Sequence, residues 1–488
     1  MKRLEILILI LTALTALSAE LRSLWVLPWD IKSPEAIDEL IDDAVQNHQN
    51  ELLVEVRYRS DALYTPNRTG YRYFNPEPRS YILEDDGFDP LEYIIRQAHA
   101  HHLKVQAWVI VFNATPLKQE LVAENYMYQN YRHWFTHDAQ GNPMRSSEQF
   151  GYFIDPGVPE VQDYLLNVFS DIVAGYPDLD GLHLDYIRYP SSKWGYHPRS
   201  VARYEQAKKQ GEVLSWNEWR TRQISDFVSK CYHRIKSINP KIILSAAVFS
   251  NIYDARIAYA QDWYDWLDKG IIDRIYPMAY TLDYGDFRDQ LTDMKQRGYE
   301  EKLIIGLRAW NANGVSLMPL DSPRYNITHI NKRIALIRDG EFAGIALFSY
   351  EGIKKNNALI SLANLAYPPL EDAEVKEEVI VPEVQLASAL DPNKKAVDAR
   401  FEALAGSYVI SLEVPLGGRW TWGLCNKDMK TIYSKEQYLL KGPHQIFWNG
   451  KPNGVDTVVA GNYFFTAFRE GDETKYYIPV TLGSSLYE

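Results

Sequence analysis

Asp180-Gly-Leu-His-Leu-Asp-Tyr-Ile-Arg-Tyr-Pro190 is the stretch on which the fold turns. It begins as a short apolar strand and ends in charge. The two-residue period of a strand puts His183 and Asp185 on one side and Leu182 and Leu184 on the other. Runs of similar length recur on both sides of it. Before it come Leu24–Leu27, Glu51–Arg57 and Lys104–Val111; after it come Lys241–Phe249, Ile271–Tyr280, Lys302–Trp310 and Gly344–Tyr350. Strands buried on both faces read as such nearly continuous apolar runs.

The segments between these runs carry helix signals. Pro34–His48 follows Ser33, a capping residue ahead of a first-turn proline, and Asp89-Pro90 opens a second helix in the same way. Trp219–Ile238 and Ile330–Arg338 supply further crossovers. Strand, helix, strand at this rhythm predicts parallel crossover units, and eight of them predict an α/β fold closed into an eight-stranded β/α (TIM) barrel. The alternative is an open doubly wound sheet. In a barrel the loops after the strand ends assemble the working face. The long segment between Arg57 and Asp89, rich in Tyr, Arg, Asn and Pro, belongs there.

The barrel is expected over residues 20–366. Residues 1–19 have a basic start, an apolar run from Ile6 to Leu17 and small residues Ser18 and Ala19, the arrangement of a secretory signal peptide. A secreted or periplasmic location follows as an expectation. Residues 367–381 read as an acidic linker, and 382–488, with alternating runs and Gly-rich turns, read as a small β-sandwich. Cys231 and Cys425 are the only cysteines and fall in different domains, so neither domain has a disulfide framework. A net charge of -12 argues against nucleic acid or an anionic membrane as the main partner. The 34 Tyr and 13 Trp suit stacking on sugar faces, although such rings also fill cores. The sequence carries no signal for an oligomeric state.

Asp185 is the best catalytic candidate, because a carboxylate at a buried strand end requires solvent, a cation or hydrogen-bond partners. Arg188 can hold it ionised, and His183 can orient it or contact a sugar hydroxyl. Glycoside cleavage uses two carboxyl groups. For the second, Asp155 and Glu351 come first, with Asp61 and Glu55 behind them; Glu55 shares its strand face with Arg57, a ready ion-pair partner. Asp283, after the sixth strand, is a further carboxylate. Trp29, Tyr280, Trp310 and Trp194 are candidate sugar platforms near strand ends, whereas Trp25 reads as core. No nucleotide fingerprint, phosphate loop or HExxH is present, and His99, His101 and His102 cluster at a helix end. Hydrolysis needs only water, so neither cofactor nor metal is expected.

Taken in order, LRSLWV, LLVEVRYRSDALY, KVQAWVIVFN, FIDPGVPEVQDYLLNVFSDIV, DGLHLDYIRYP, IDRIYPMAYT, LIIGLRAW and GIALFSYEG resemble the glycosyl-hydrolase-like family 10 proteins, bacterial relatives of β/α-barrel glycosidases. The resemblance implies a barrel, and some family members are associated with peptidoglycan glycan strands. The family's DGIHFDDYFYP pattern aligns Asp185 with its first central Asp and His183 with its histidine; Tyr186 replaces the second Asp, and Arg188 stands at an aromatic position. Asp155–Gly157 resembles the family's NPG, which implies a turn at Asp155. HQIFWNGKPNGVDTVVAGNYFFTAF resembles the immunoglobulin-like domain of flagellar-hook capping proteins, with Trp448, Asn449 and Gly450 at its turn and Gly461 and Tyr463 at a strand entry. The expectation is an exported glycoside hydrolase acting on a poly- or oligosaccharide, associated with the cell envelope through its C-terminal domain. The alternatives are a noncatalytic polysaccharide-binding or surface-assembly protein and a glycosyl-transferring enzyme.

Overall fold

In the computed structural model the chain divides into two compact units, Met1–Asn356 and Asn357–Glu488. The structure describes residues 20–85, 87–145, 151–309, 327–355 and 367, and in the second unit 399–404, 407–414, 418–426, 430–439, 442–448, 461–469 and 475–482. The expected signal peptide, most of the linker, Trp310, Asn449 and Gly450 lie outside the described residues.

The first unit is a closed barrel of parallel strands wrapped by helices. Its strands are β1 (Leu21–Val26), β2 (Glu51–Tyr58), β4 (Lys104–Ile110), β5 (Gly181–Asp185), β6 (Ile243–Phe249), β7 (Arg274–Met278), β8 (Ile304–Arg308) and β9 (Gly344–Phe348). They pair in that order, and β1 bonds both β2 and β9, which closes the ring. β3 (Asp61–Ala62) is a two-residue antiparallel return onto the end of β2. Each of the eight expected runs overlaps one barrel strand, although β1 starts three residues earlier than expected and β2 ends one residue later.

Local signals set the crossovers. Ser33 accepts from the Ala36 N–H and Asp89 from the Glu92 N–H, so both predicted caps start helices, Pro34–Gln46 and Pro90–Ala100. Helix Trp216–Ile238 starts on a capping box between Ser215 and Glu218. Helix Pro159–Gly175, between β4 and β5, buries Val161, Leu165, Val168, Phe169 and Ile172.

Every second strand residue points into the barrel. Leu21, Trp25, Leu53, Trp108, Ile110, Ala247, Tyr276, Ile304 and Ala346 form one packed cluster there. Trp25 is its centre, edge-on to Tyr276 at 6.0 Å and to Phe348 at 6.0 Å. A Cβ at Gly306 would lie 3.1 Å from Trp25 Cη2 and 3.0 Å from the Pro277 carbonyl oxygen, so the absent side chain there makes room for the indole. Full burial of one such large apolar side chain contributes about 1.5–3 kcal/mol.

At the N-terminal end of the barrel a polar network replaces apolar packing. Glu51 accepts from Ser23 Oγ at 2.6 Å, Tyr276 OH at 2.6 Å, Gln106 Nε2 at 2.8 Å and Arg274 Nη1 at 3.1 Å. Ser245 Oγ donates to Gln106 Oε1 at 2.7 Å and receives the His183 Nδ1 proton at 2.8 Å. That tautomer follows from the other nitrogen, which accepts from Trp25 Nε1 at 3.2 Å.

The second unit holds two antiparallel sheets. One joins β10 (Ala399–Leu404), β11 (Ser407–Val414) and β14 (Gly442–Trp448); the other runs β13 (Thr431–Leu439), β12 (Gly418–Cys425), β15 (Gly461–Arg469), β16 (Lys475–Leu482). On the larger sheet Trp420, Trp422, Leu424, Phe465 and Ala467 are buried, two residues apart along each strand, as one covered face requires. Gly461 opens β15, the position expected for it. Both cysteines are free and buried.

Candidate active site

The register carries the polar side of the key stretch to the barrel mouth. Trp108 pairs with Glu55 on β2 and with His183 on β5, and Ile110 pairs with Asp185. Asp185 is the last residue of β5. Its Oδ2 accepts the Trp108 indole N–H at 3.2 Å and its Oδ1 the Tyr186 backbone N–H at 2.6 Å. Tyr186 holds a left-handed backbone (φ 53°), unfavourable for a side chain with a Cβ, and this turn aims its N–H back at Asp185. Burial pushes the Asp185 carboxyl up, while the Tyr186 N–H, the Arg188 and Arg59 guanidiniums and the Trp108 N–H all act to keep it ionised.

Glu55 is the second carboxyl of the mouth. It is 4% exposed, and burial pushes it up to about 8, opposed by the charge of Arg59 and reinforced by that of Asp185. The expected Glu55–Arg57 pair does not form. Between Glu55 and Arg57 the β2–β4 register shifts by a bulge, which re-aims the chain. Arg57 turns away to Glu77, with Nε to Oε2 at 2.8 Å, and also donates to the Ile110 carbonyl. Arg59 and Ser60 then take left-handed conformations (φ 53° and 69°). Arg59 lies over the rings of Tyr58 at 5.4 Å and Tyr186 at 5.2 Å.

The other expected site residues separate into three groups. Arg188 stays at the mouth: its charge acts on Asp185, and its guanidinium lies 4.7 Å from the Tyr186 ring centre. Trp29, in a single-turn helix after β1, is 49% exposed and edge-on to Tyr58 at 5.3 Å. Tyr280, two residues past β7, is half-buried with its ring 5.8 Å from that of Phe348. Asp61, on β3, is pushed up to about 8 by burial and by Glu77, against the pull of Arg57. It borders the mouth, since its charge acts on Tyr58 and Tyr81.

Three of the expected residues, His183, Asp155 and Trp194, are buried in the framework. His183 is fully buried beneath the mouth with both ring nitrogens engaged, and burial pushes it down to about 3, so it is a neutral core histidine. Asp155 is fully buried and holds three chain segments together: it accepts from Thr136 Oγ1 at 2.8 Å, Ser200 Oγ at 2.8 Å and the Gly157 N–H at 2.9 Å. That is the turn its NPG-like context implies. Trp194 is 2% exposed and offers no open face to a sugar.

Glu351 occupies the first turn of helix Tyr350–Lys355 after β9 and is half-buried. The charged neighbours that shift Glu55 are Arg59 and Asp185, and Glu351 is not among them. Asp283 caps helix Tyr284–Lys295 by accepting from the Asp286 N–H at 2.8 Å. Among the described residues no three of His, Cys, Asp and Glu converge as a metal site would require.

Two residues of the mouth carry roles the sequence reading did not give them, Arg59 and Trp108. Alternation along β2 was the available signal for Glu55, because Glu51, Leu53 and Glu55 share the inward parity of His183 and Asp185.

Two carboxyls thus meet the mouth, Glu55, whose acid form burial favours, and Asp185, which accepts two N–H groups. The model of the family described as glycosyl hydrolase-like 10 matches residues 20–308, which include both. The chain is 24% identical over 375 residues to glycosyl hydrolase YngK of Bacillus subtilis, covering 69% of each chain. It is 29% identical over 226 residues to glycosyl hydrolase DigH of Escherichia coli K12, covering 41% of this chain and 48% of that protein. In fold it is similar to the PgaB (BpsB) glycoside hydrolase domain of Bordetella bronchiseptica, with a TM-score of 0.54 at 13% identity over 71% of this chain and 98% of that one. The chain belongs to the glycosyl hydrolase-like 10 family.

Proposed function

We propose that this protein is an exported glycoside hydrolase that cleaves a structural polysaccharide, peptidoglycan glycan strands among its substrates. The observation that carries the reading is the placing of Glu55 and Asp185 on the two strands that flank Trp108 at the mouth of the closed barrel. Glu55, protonated up to about pH 8, donates its proton to the glycosidic oxygen as the bond from that oxygen to the anomeric carbon breaks. Asp185, held by the Trp108 and Tyr186 N–H groups, stabilises the positive charge that develops on the sugar, by direct attack or through an activated water. Trp29 and Tyr280 supply aromatic surface for neighbouring sugar rings.

The basic, apolar and small-residue order of residues 1–19 supports export. The two sheets of the second unit support a β-sandwich of immunoglobulin-like type, which we assign to attachment at the cell envelope.

The test is release of reducing ends from peptide-free peptidoglycan strands by wild type, Glu55→Gln and Asp185→Asn. The reading predicts release by wild type and a loss of about 100-fold or more in each variant, with both variants folded. Tight glycan binding without release by wild type would make the protein a noncatalytic binder, and longer sugar products would make it a transferase.

A further inference from the structure

We propose that the sugar seated beside Asp185 carries a carboxylate, received jointly by Arg59 and Arg188. The inference rests on the hydrolase reading and adds the chemical class of the substrate. Arg188 lies between aromatic rings, its guanidinium carbon 4.7 Å from the centre of Tyr186, 4.8 Å from Phe249 and 5.3 Å from Tyr259. Only 9% of the residue is exposed, its Nε is buried without a hydrogen-bond partner, and its Nη1 makes one long contact of 3.4 Å to the Tyr189 carbonyl. Arg59 likewise buries Nε and Nη1 without partners. Neither guanidinium enters a salt bridge among the described residues, whereas Arg57, one strand turn away, is fully matched by Glu77.

A guanidinium is permanently charged, and donors buried without acceptors are costly unless something arrives to satisfy them. Charge points the same way. Burial favours the acid form of Glu55, Asp61 and Asp185 alike, and the charges of Arg59 and Arg188 both act on Asp185. Sugar hydroxyls can fill the hydrogen bonds but not the charge; a carboxylate does both, and can do so bidentately. Arg188 also stands where the family pattern has an aromatic residue, so this device belongs to this chain.

The carboxylate could be ether-linked to the ring, as in muramic acid, or a ring substituent, as in a uronic acid. The test is calorimetric binding to Glu55→Gln, which keeps the charge of the protonated acid and does not turn substrate over. The probes are peptide-free peptidoglycan strands, the same strands methyl-esterified, hyaluronan oligosaccharides and uncharged chitohexaose. One carboxylated glycan should bind at least about tenfold tighter than its uncharged counterpart. Preference for the free strands assigns the ether-linked acid, and preference for hyaluronan assigns the ring acid. Adding Arg188→Met or Arg59→Met should collapse the ratio to within about twofold, while Arg188→Lys keeps part of it. The ratio divides out any general damage to the mouth. Equal binding of charged and uncharged glycans, or a ratio that survives Arg188→Met, overturns the proposal. The hydrolase reading fails separately, if wild type releases no reducing ends from any of these glycans.

Discussion

The two ends of the barrel interior bury polar residues in opposite ways. At the N-terminal end Glu51 is matched by four donors, and His183, Ser245 and Gln106 use their polar atoms on one another. At the mouth, Glu55 is pushed up to about 8, Arg59 and Arg188 keep unpartnered nitrogens, and Arg59, Ser60 and Tyr186 hold left-handed backbones. Both ends sit in the same ring of strands and draw on the same residue types. What separates them is completion. A satisfied network contributes specificity and rigidity to the fold, whereas an incomplete one stores cost that a substrate can relieve. Polar residues inside a barrel are therefore read by what they lack as much as by what they touch.

This contrast predicts a swap of phenotypes. Asp185→Asn should lower kcat by about 100-fold or more, with stability unchanged or slightly raised, because it relieves a buried carboxylate at a functional site. Glu51→Gln should do the reverse. It should destabilise by about 3 kcal/mol in denaturant unfolding, leaving Arg274 short of its partner, while folded molecules keep kcat within about threefold. If Glu51→Gln costs more activity than stability, the contrast between the ends is broken.

Smaller effects sharpen it. Trp108→Phe keeps the ring but removes the indole N–H from Asp185. We expect a loss of about tenfold in kcat and an upward shift of the acidic limb of the pH profile, since one of the groups keeping Asp185 ionised is gone. Stability should also depend on pH through the mouth. Glu55 and Asp61 ionise near their ordinary values when unfolded but near about 8 when folded. Between those values the folded protein holds protons that the unfolded chain has released. Each group therefore removes stability as pH rises from the unfolded value to about 8, by up to about 1.4 kcal/mol per pH unit. Asp61→Asn should flatten part of that slope while leaving the alkaline limb of activity in place. The smallest expected change is His183→Gln, which should cost about 1–3 kcal/mol of stability and leave the shape of the pH profile alone.

Much of this was legible in sequence. Eight apolar runs and the caps at Ser33 and Asp89 fix strand positions through local periodicity and hydrogen bonding. Asp185 was legible because a carboxylate at the end of an apolar run has few structural explanations. Its partner was harder to read. The bulge after Glu55 separates it from Arg57, and a bulge is set by how β2 meets β4, two segments far apart in the chain. The same distance hides the function of Trp108, whose N–H meets Asp185 only once β4 and β5 pair. Asp155 and Trp194 look like site residues in one dimension because they border loops. Burial, which depends on the whole fold, places both in the framework.

The most direct test of the central claim, that Glu55 is the proton donor to the glycosidic oxygen, is kcat/KM against pH for wild type and Glu55→Gln on peptide-free peptidoglycan strands. Wild type should lose activity as pH rises through about 8, and Glu55→Gln should be slower by about 100-fold or more with that alkaline limb abolished. A Glu55→Gln profile that keeps the limb, at a rate within about twofold of wild type, would contradict the account.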